Sequence, residues 1–204
     1  MIKFEDVKGD RAVLAYIKSA DESLKALGYT EHGLGHVGKV SDMAAGILSA
    51  LGYPEREVEL ARIAGLLHDI TKALDGPLQL TLCAEYGIVL DTFSRAFPKT
   101  LHALTGSLVA ERIFGENENV VSAICHHTTG RANMTLLEKI IYIADYVERN
   151  RDFPGVEEMR TMAYTDLDKA VLMGLESAVA HVRRQGQGLA PATVEALEFL
   201  ENHR

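Results

Sequence analysis

The chain has 204 residues, 47% of them hydrophobic and 25% charged, which suits one ordinary domain with a sizeable core and argues against disorder. Its formal net charge of -8 argues against a nucleic-acid surface, which needs a basic stripe, but not against a phosphorylated substrate, because bound cations can supply positive charge locally. No secretory pattern is read at the start, no apolar run approaches the roughly 18 residues of a membrane span, and Cys83 and Cys125 are too few for a disulfide framework, so a reduced, cytoplasmic setting is expected.

Apolar spacing predicts helices throughout and no strands. The first runs over about 12–28. Val37, Val40, Ala44, Ile47, Leu48 and Leu51 share one face of the next, which Gly52 ends. Pro54 opens a third, with Glu55, Glu57 and Glu59 near its positive end. Its apolar face, Val58, Leu60, Ile63, Ala64, Leu66 and Leu67, runs straight into His68-Asp69. Further helices are expected at about 77–86, 101–114, 117–127, 135–149, 166–184 and 192–202. Breaks fall at Gly52-Tyr53-Pro54, Asp75-Gly76-Pro77, Thr128-Thr129-Gly130, Phe153-Pro154-Gly155 and Gly186-Gln187-Gly188, and none is a long linker. The expected organisation is an all-α bundle over 1–190, N-terminal helix included, with 191–204 a C-terminal helix open to peripheral attachment.

The eight histidines carry the chemistry. His68-Asp69 is the sharpest local signal. A carboxylate has two oxygens and can bridge two metals, whereas an imidazole binds one, so the pair suits a binuclear site. Standing alone it reads as well as a polar helix end. His36 begins the preceding helix, His102 opens the helix at 101 and His127 ends the one before Thr128. Asp145 sits in the apolar run Ile140-Ile141-Tyr142-Ile143-Ala144. A buried carboxylate needs a partner: a metal, an arginine, or a neighbouring helix end that it caps, and the other candidates favour the metal. Imidazole and carboxylate together suit borderline divalent metals.

The order His36, His68-Asp69, His102, His127, Asp145 resembles the HD-domain superfamily of phosphohydrolases, and Leu67-His68-Asp69-Ile70-Thr71-Lys72 resembles its HDxxK segment. The stretch 127–156, HTTGRANMTLLEKIIYIADYVERNRDFPGV, is similar to the bacterial symmetrical diadenosine tetraphosphatases within that superfamily. Ala132 and Arg149 stand where that subgroup usually has proline, and His126 where it usually has tyrosine, so His127 is taken as the ligand. The segment around His36 also departs from the subgroup's usual sequence. His32, four residues earlier, is a further candidate for the same cleft, or a solvated loop residue.

The resemblance implies an HD-domain helical bundle holding two divalent metals, usually iron. His36, His68, Asp69 and Asp145 would hold the first, and Asp69 would bridge to a second held by His102 and His127. It implies symmetrical hydrolysis of diadenosine tetraphosphate to two ADP by a di-metal-activated hydroxide, with Asp69 and Lys72 catalytic. Lys72, Arg131 and Arg151 would contact the substrate phosphates, Lys72 as a point charge and the arginines through a guanidinium fork that suits phosphate. Lys72 reads equally as a solvated helix-end lysine, and Arg151 as a loop brace paired with Glu or Asp. The expected partner is a dinucleoside polyphosphate, with no nucleic acid and no membrane, and a homodimer is left open. Two other readings remain: an HD hydrolase of another nucleotide, and a non-catalytic module that binds metal or nucleotide.

Overall fold

The computed structural model describes residues 2–26 and 34–203, with the side chains of 19–26 and 34 outside that description. His32 therefore lies outside the described residues. The elements in chain order are α1 (Phe4–Gly9), α2 (Arg11–Ala26), α3 (Leu34–Ala50), α4 (Glu55–Leu67), α5 (Gly76–Glu85), α6 (Thr92–Ala96), a 3-10 turn (Pro98–Thr100), α7 (Leu101–Arg112), α8 (Glu118–His126), α9 (Leu136–Val147), α10 (Val156–Ala163), α11 (Leu167–Arg184) and α12 (Pro191–Asn202). No strand occurs among the described residues, and no helix is long and apolar enough to cross a membrane.

The long helices fall within two residues of their expected bounds, because each has a stop signal or a cap. Asn117 accepts from the Asn119 and Val120 amides at the start of α8. Thr135 and Glu138 form a reciprocal capping box at the start of α9. Three short helices, α1, α6 and α10, were not foreseen. Each spans eight residues or fewer, too few turns to show a helical period. Only the Asp91 side chain, which accepts from the Ser94 amide at 2.6 Å, marks α6.

The core is one continuous apolar cluster running through α3, α4, α8, α9 and α11. α9 lies at its centre: Ile140, Ile141, Ile143 and Ala144 are fully buried. Each such isoleucine contributes roughly 1.5–3 kcal/mol by burial. α3 and α4 meet at Gly65, where an added Cβ would lie 2.7 Å from the Ser41 Cα. Ser41 Oγ donates to the Arg62 carbonyl across the same contact, at 2.9 Å. Only glycine permits this approach, and it draws His36 on α3 toward His68 at the end of α4. The C-terminal α12 packs on α11 and on the turn after α8. Thr193 Oγ1 donates to the Thr129 carbonyl at 2.9 Å. Gly130, at φ +66°, faces the Ala196 methyl.

Candidate metal centre

Four histidines and two aspartates from five segments meet in one buried cluster. His36 comes from the first turn of α3, His68 and Asp69 from the end of α4, His102 from the start of α7, His127 from the end of α8 and Asp145 from the buried run of α9. His36, His68, Asp69, His102 and His127 are all buried.

The backbone sets the ring orientations. His68 Nδ1 meets the Gly65 carbonyl at 2.8 Å, His102 Nδ1 the Lys99 carbonyl at 2.7 Å and His127 Nδ1 the Ile124 carbonyl at 2.7 Å. A carbonyl only accepts, so each Nδ1 carries the proton. Each Nε2 then presents a lone pair to the cluster, the arrangement that metal-binding histidines use. The carbonyl is three residues back each time, so the local turn that carries the histidine also aims it.

Asp69 faces two ways. Its Oδ2 lies 3.4 Å from His68 Nε2 and 3.5 Å from His36 Nε2, while Oδ1 lies 3.4 Å from both His102 Nε2 and His127 Nε2. Asp145 Oδ1 stands 3.2 Å from His36 Nε2 and 3.9 Å from His68 Nε2. Two ligand-like groups result, one of His36, His68 and Asp69, the other of Asp69, His102 and His127, and they share the carboxylate. A third grouping joins His68, His127 and Asp145 across them.

The donors fit divalent cations. His68 Nε2 and Asp69 Oδ1 are buried with no hydrogen-bond partner among the described residues, and such atoms are costly unless something binds them. Burial opposes ionisation of Asp69 and Asp145, but the positive charge beside them, the Lys72 ammonium for both and the His36 ring for Asp145, outweighs it and holds both carboxyls well below the usual range. Burial drives His68 down to about 3, so the ring is neutral and able to ligate. Burial also opposes charge on His36, yet Asp145 and Asp69 outweigh it and raise the ring to about 9.

A further layer supports the ligands. Thr71 Oγ1 donates to the His102 carbonyl at 2.9 Å and meets Thr105 Oγ1 at 2.8 Å. Gln79 Nε2 donates to the Thr71 carbonyl at 2.8 Å, and Thr105 Oγ1 donates to Gln79 Oε1. This buried network ties the turn after Asp69 to the helix that carries His102. Glu148 Oε1 lies behind His36, 3.7 Å from Nδ1. Thr128 Oγ1 stands 3.2 Å from His127 Nε2 and 3.3 Å from His102 Nε2. Glu148, Thr128 and the Thr71–Gln79–Thr105 network were missed from sequence. Hydroxyl and amide side chains carry no signal until the fold gives them partners, although Glu148 lies inside the 127–156 stretch.

The three basic candidates separate. Lys72 Nζ pairs with Asp69 Oδ2 at 2.7 Å and Arg151 Nη2 with Asp145 Oδ1 at 2.7 Å, so each touches a carboxylate of the cluster. Arg151 Nε also donates to the Asp145 carbonyl. Arg131 instead donates through Nε to Glu138 Oε1 at 3.0 Å and through Nη1 to the Ala132 carbonyl. His126 turns the same way, its Nδ1 2.8 Å from the Ser122 carbonyl and 3.3 Å from Glu138 Oε1, while His127 enters the cluster.

A helical bundle that gathers His, His-Asp, His, His and Asp on one buried point defines a class. The model of the HD domain matches residues 33–150. The chain belongs to the HD-domain family of hydrolases. Within it, the chain is similar to a symmetrical bis(5'-nucleosyl)-tetraphosphatase of Halalkalibacterium halodurans, 39% identical over 81% of this chain and 87% of that one. A protein of the same name from Bacillus subtilis is 33% identical over 84% and 90%. A crystal structure from Clostridium acetobutylicum, described as a predicted HD superfamily hydrolase involved in NAD metabolism, superposes with a TM-score of 0.81 at 37% identity. It covers 92% of this chain and 97% of that one.

Proposed function

We propose that the chain hydrolyses diadenosine tetraphosphate symmetrically, releasing two ADP, at a centre of two iron ions held by His36, His68, Asp69, His102, His127 and Asp145. The observation that carries this reading is the division of Asp69, whose two oxygens face two separate histidine pairs. The names of the relatives support the substrate. When bound, such metals supply an acidified water and positive charge for phosphoryl oxygens.

The chain's own residues do the rest. Asp69 faces both histidine pairs, and its carboxylate would serve both metals and holds the two halves of the site together. The backbone carbonyls behind His68, His102 and His127 keep those rings in register, so little reorganisation accompanies the reaction. Lys72 lies at the rim, its side chain 26% exposed. Burial opposes its charge, but Asp69 and Asp145 outweigh that and keep the ammonium protonated. Lys72 and Arg151, beside Asp69 and Asp145, would take the oxygens of the phosphoryl group under attack where those carboxylates hold metal. Arg131, braced by Glu138, contacts the flanking phosphates. Water adds across the central phosphoanhydride, its oxygen going to one inner phosphorus and the other ADP leaving.

Incubation of the metal-loaded protein with diadenosine tetraphosphate, with products resolved by chromatography, tests the reading. ADP as sole product is expected. ATP with AMP would exclude symmetrical cleavage, and no turnover would exclude the substrate.

A further inference from the structure

Beside the ligand cluster lies a cavity of about 160 Å³, lined among others by Phe93, Phe97, Thr128, Val182, Gln187 and Gly188. None of the residues lining it is charged. It sits below the roughly 300 Å³ of a pocket that takes a whole drug-sized ligand, so it takes a fragment. The Phe93 and Phe97 rings lie 4.7 Å apart, tilted by 31°, and both are only partly buried. Gly188 lines it against the edges of the same two rings. A Cβ there would lie 3.5 and 3.6 Å from the edge atoms of Phe97, so any larger side chain would enter the space beside the ring.

Two physical links join this cavity to the metal ligands. Thr128 lines it and also places Oγ1 within 3.3 Å of the His102 and His127 Nε2 atoms. The segment that carries Phe97 continues through Lys99, whose carbonyl holds His102 Nδ1. An uncharged, aromatic-walled slot that abuts a phosphate-binding cluster has the chemistry of a nucleobase site. Aromatic faces stack on any base, and an uncharged wall suits a neutral ring and not a phosphate.

Resting on the nucleotide reading above, we propose that one purine base of the substrate seats in this cavity, stacked on the Phe93–Phe97 pair. Its ribose runs past Thr128 toward the metal ligands. Phe93 and Phe97 are then determinants of affinity for a base and not for phosphate. The Gly186-Gln187-Gly188 break, noted in the sequence only as a turn, contributes Gln187 and Gly188 to the lining.

Calorimetric titration of the full-length, metal-loaded protein with ADP and with inorganic pyrophosphate separates base from phosphate. Phe97→Leu keeps an apolar side chain but removes the stacking face, and Gly188→Leu fills the slot. Each should weaken ADP by about tenfold and leave pyrophosphate affinity unchanged. Equal weakening of both ligands, no change in either, or a wild-type protein that binds ADP no tighter than pyrophosphate would overturn the proposal. The two readings fail separately. Symmetrical cleavage with an unaltered ADP to pyrophosphate ratio in both variants sinks the base site alone. Selective loss of ADP affinity in a protein that does not cut diadenosine tetraphosphate sinks the substrate alone.

Discussion

His102 and His127 bring their Nε2 atoms within 3.2 Å of each other, while the Nδ1 of each ring points at a backbone carbonyl. The protons are therefore on the far sides, and two lone pairs face one another beside Asp69 Oδ1. Neutral rings would repel in that pose, so the approach calls for a shared cation. From it follows the first prediction.

Removal of metal by chelation should lower the thermal midpoint, and restoring the divalent metal should raise it. A cation at 1,000 times its Kd stabilises by about 4 kcal/mol. Asp69→Ala should lose both metals, because both halves of the cluster share that carboxylate, whereas His102→Ala should lose mainly the second. Elemental analysis decides it. Full metal content in Asp69→Ala would remove the bridging role.

Gly65→Ala should be destabilising despite its small size. The new methyl would lie 2.7 and 2.9 Å from the Ser41 Cα and N, so α3 and α4 must separate. Overpacking of this kind costs about 1–3 kcal/mol. The same separation moves His36 from His68, so metal content should drop with stability. Denaturant unfolding and metal analysis of one preparation test both.

Glu138 should shape the acid limb of stability. Burial opposes its ionisation, but His126, Ser122, the Thr135 amide and Arg131 outweigh that and hold it at about 2. Folding thus lowers its pKa. Its contribution is complete above the ordinary value of 4.5 and is lost as pH falls toward 2. Glu138→Gln should be less stable at neutral pH and show a shallower decline between those limits. Thermal midpoints from pH 7 down to 3 would reveal it, and parallel curves for the two proteins would refute it.

The basic residues should split by readout. Lys72→Ala and Arg151→Ala should keep the metals and lose turnover, each by an amount consistent with a charge-assisted contact of about 1.5–3 kcal/mol. Arg131→Ala should in addition lower the thermal midpoint, because it strips the guanidinium from a fully buried Glu138 side chain. Steady-state kinetics beside thermal melts would show the difference. Unaltered kcat/KM in all three variants would place the phosphate contacts elsewhere.

The sequence alone determined the long helices and the ligand candidates. Long amphipathic runs have a period that survives any packing, and stops such as Gly52 and Gly130 act locally. An aspartate inside Ile140–Tyr146 demands a partner wherever the helix lies. The His127–Val156 stretch was distinctive enough to point to a family. What only the tertiary structure decided is which partner each polar group meets. Asp69 could be read as a bridge, but the separate facing of its two oxygens depends on α3 meeting α4 at Gly65 and on the Thr71–Gln79–Thr105 network tying the turn after Asp69 to α7. Arg131 and Arg151 are alike in sequence terms, yet one meets Glu138 and the other Asp145. The Phe93–Phe97 slot brings those rings against the 187–188 turn, roughly ninety positions away, and against Thr128 beside His102 and His127. Such contacts follow from chain closure and core packing, which local periodicity does not encode.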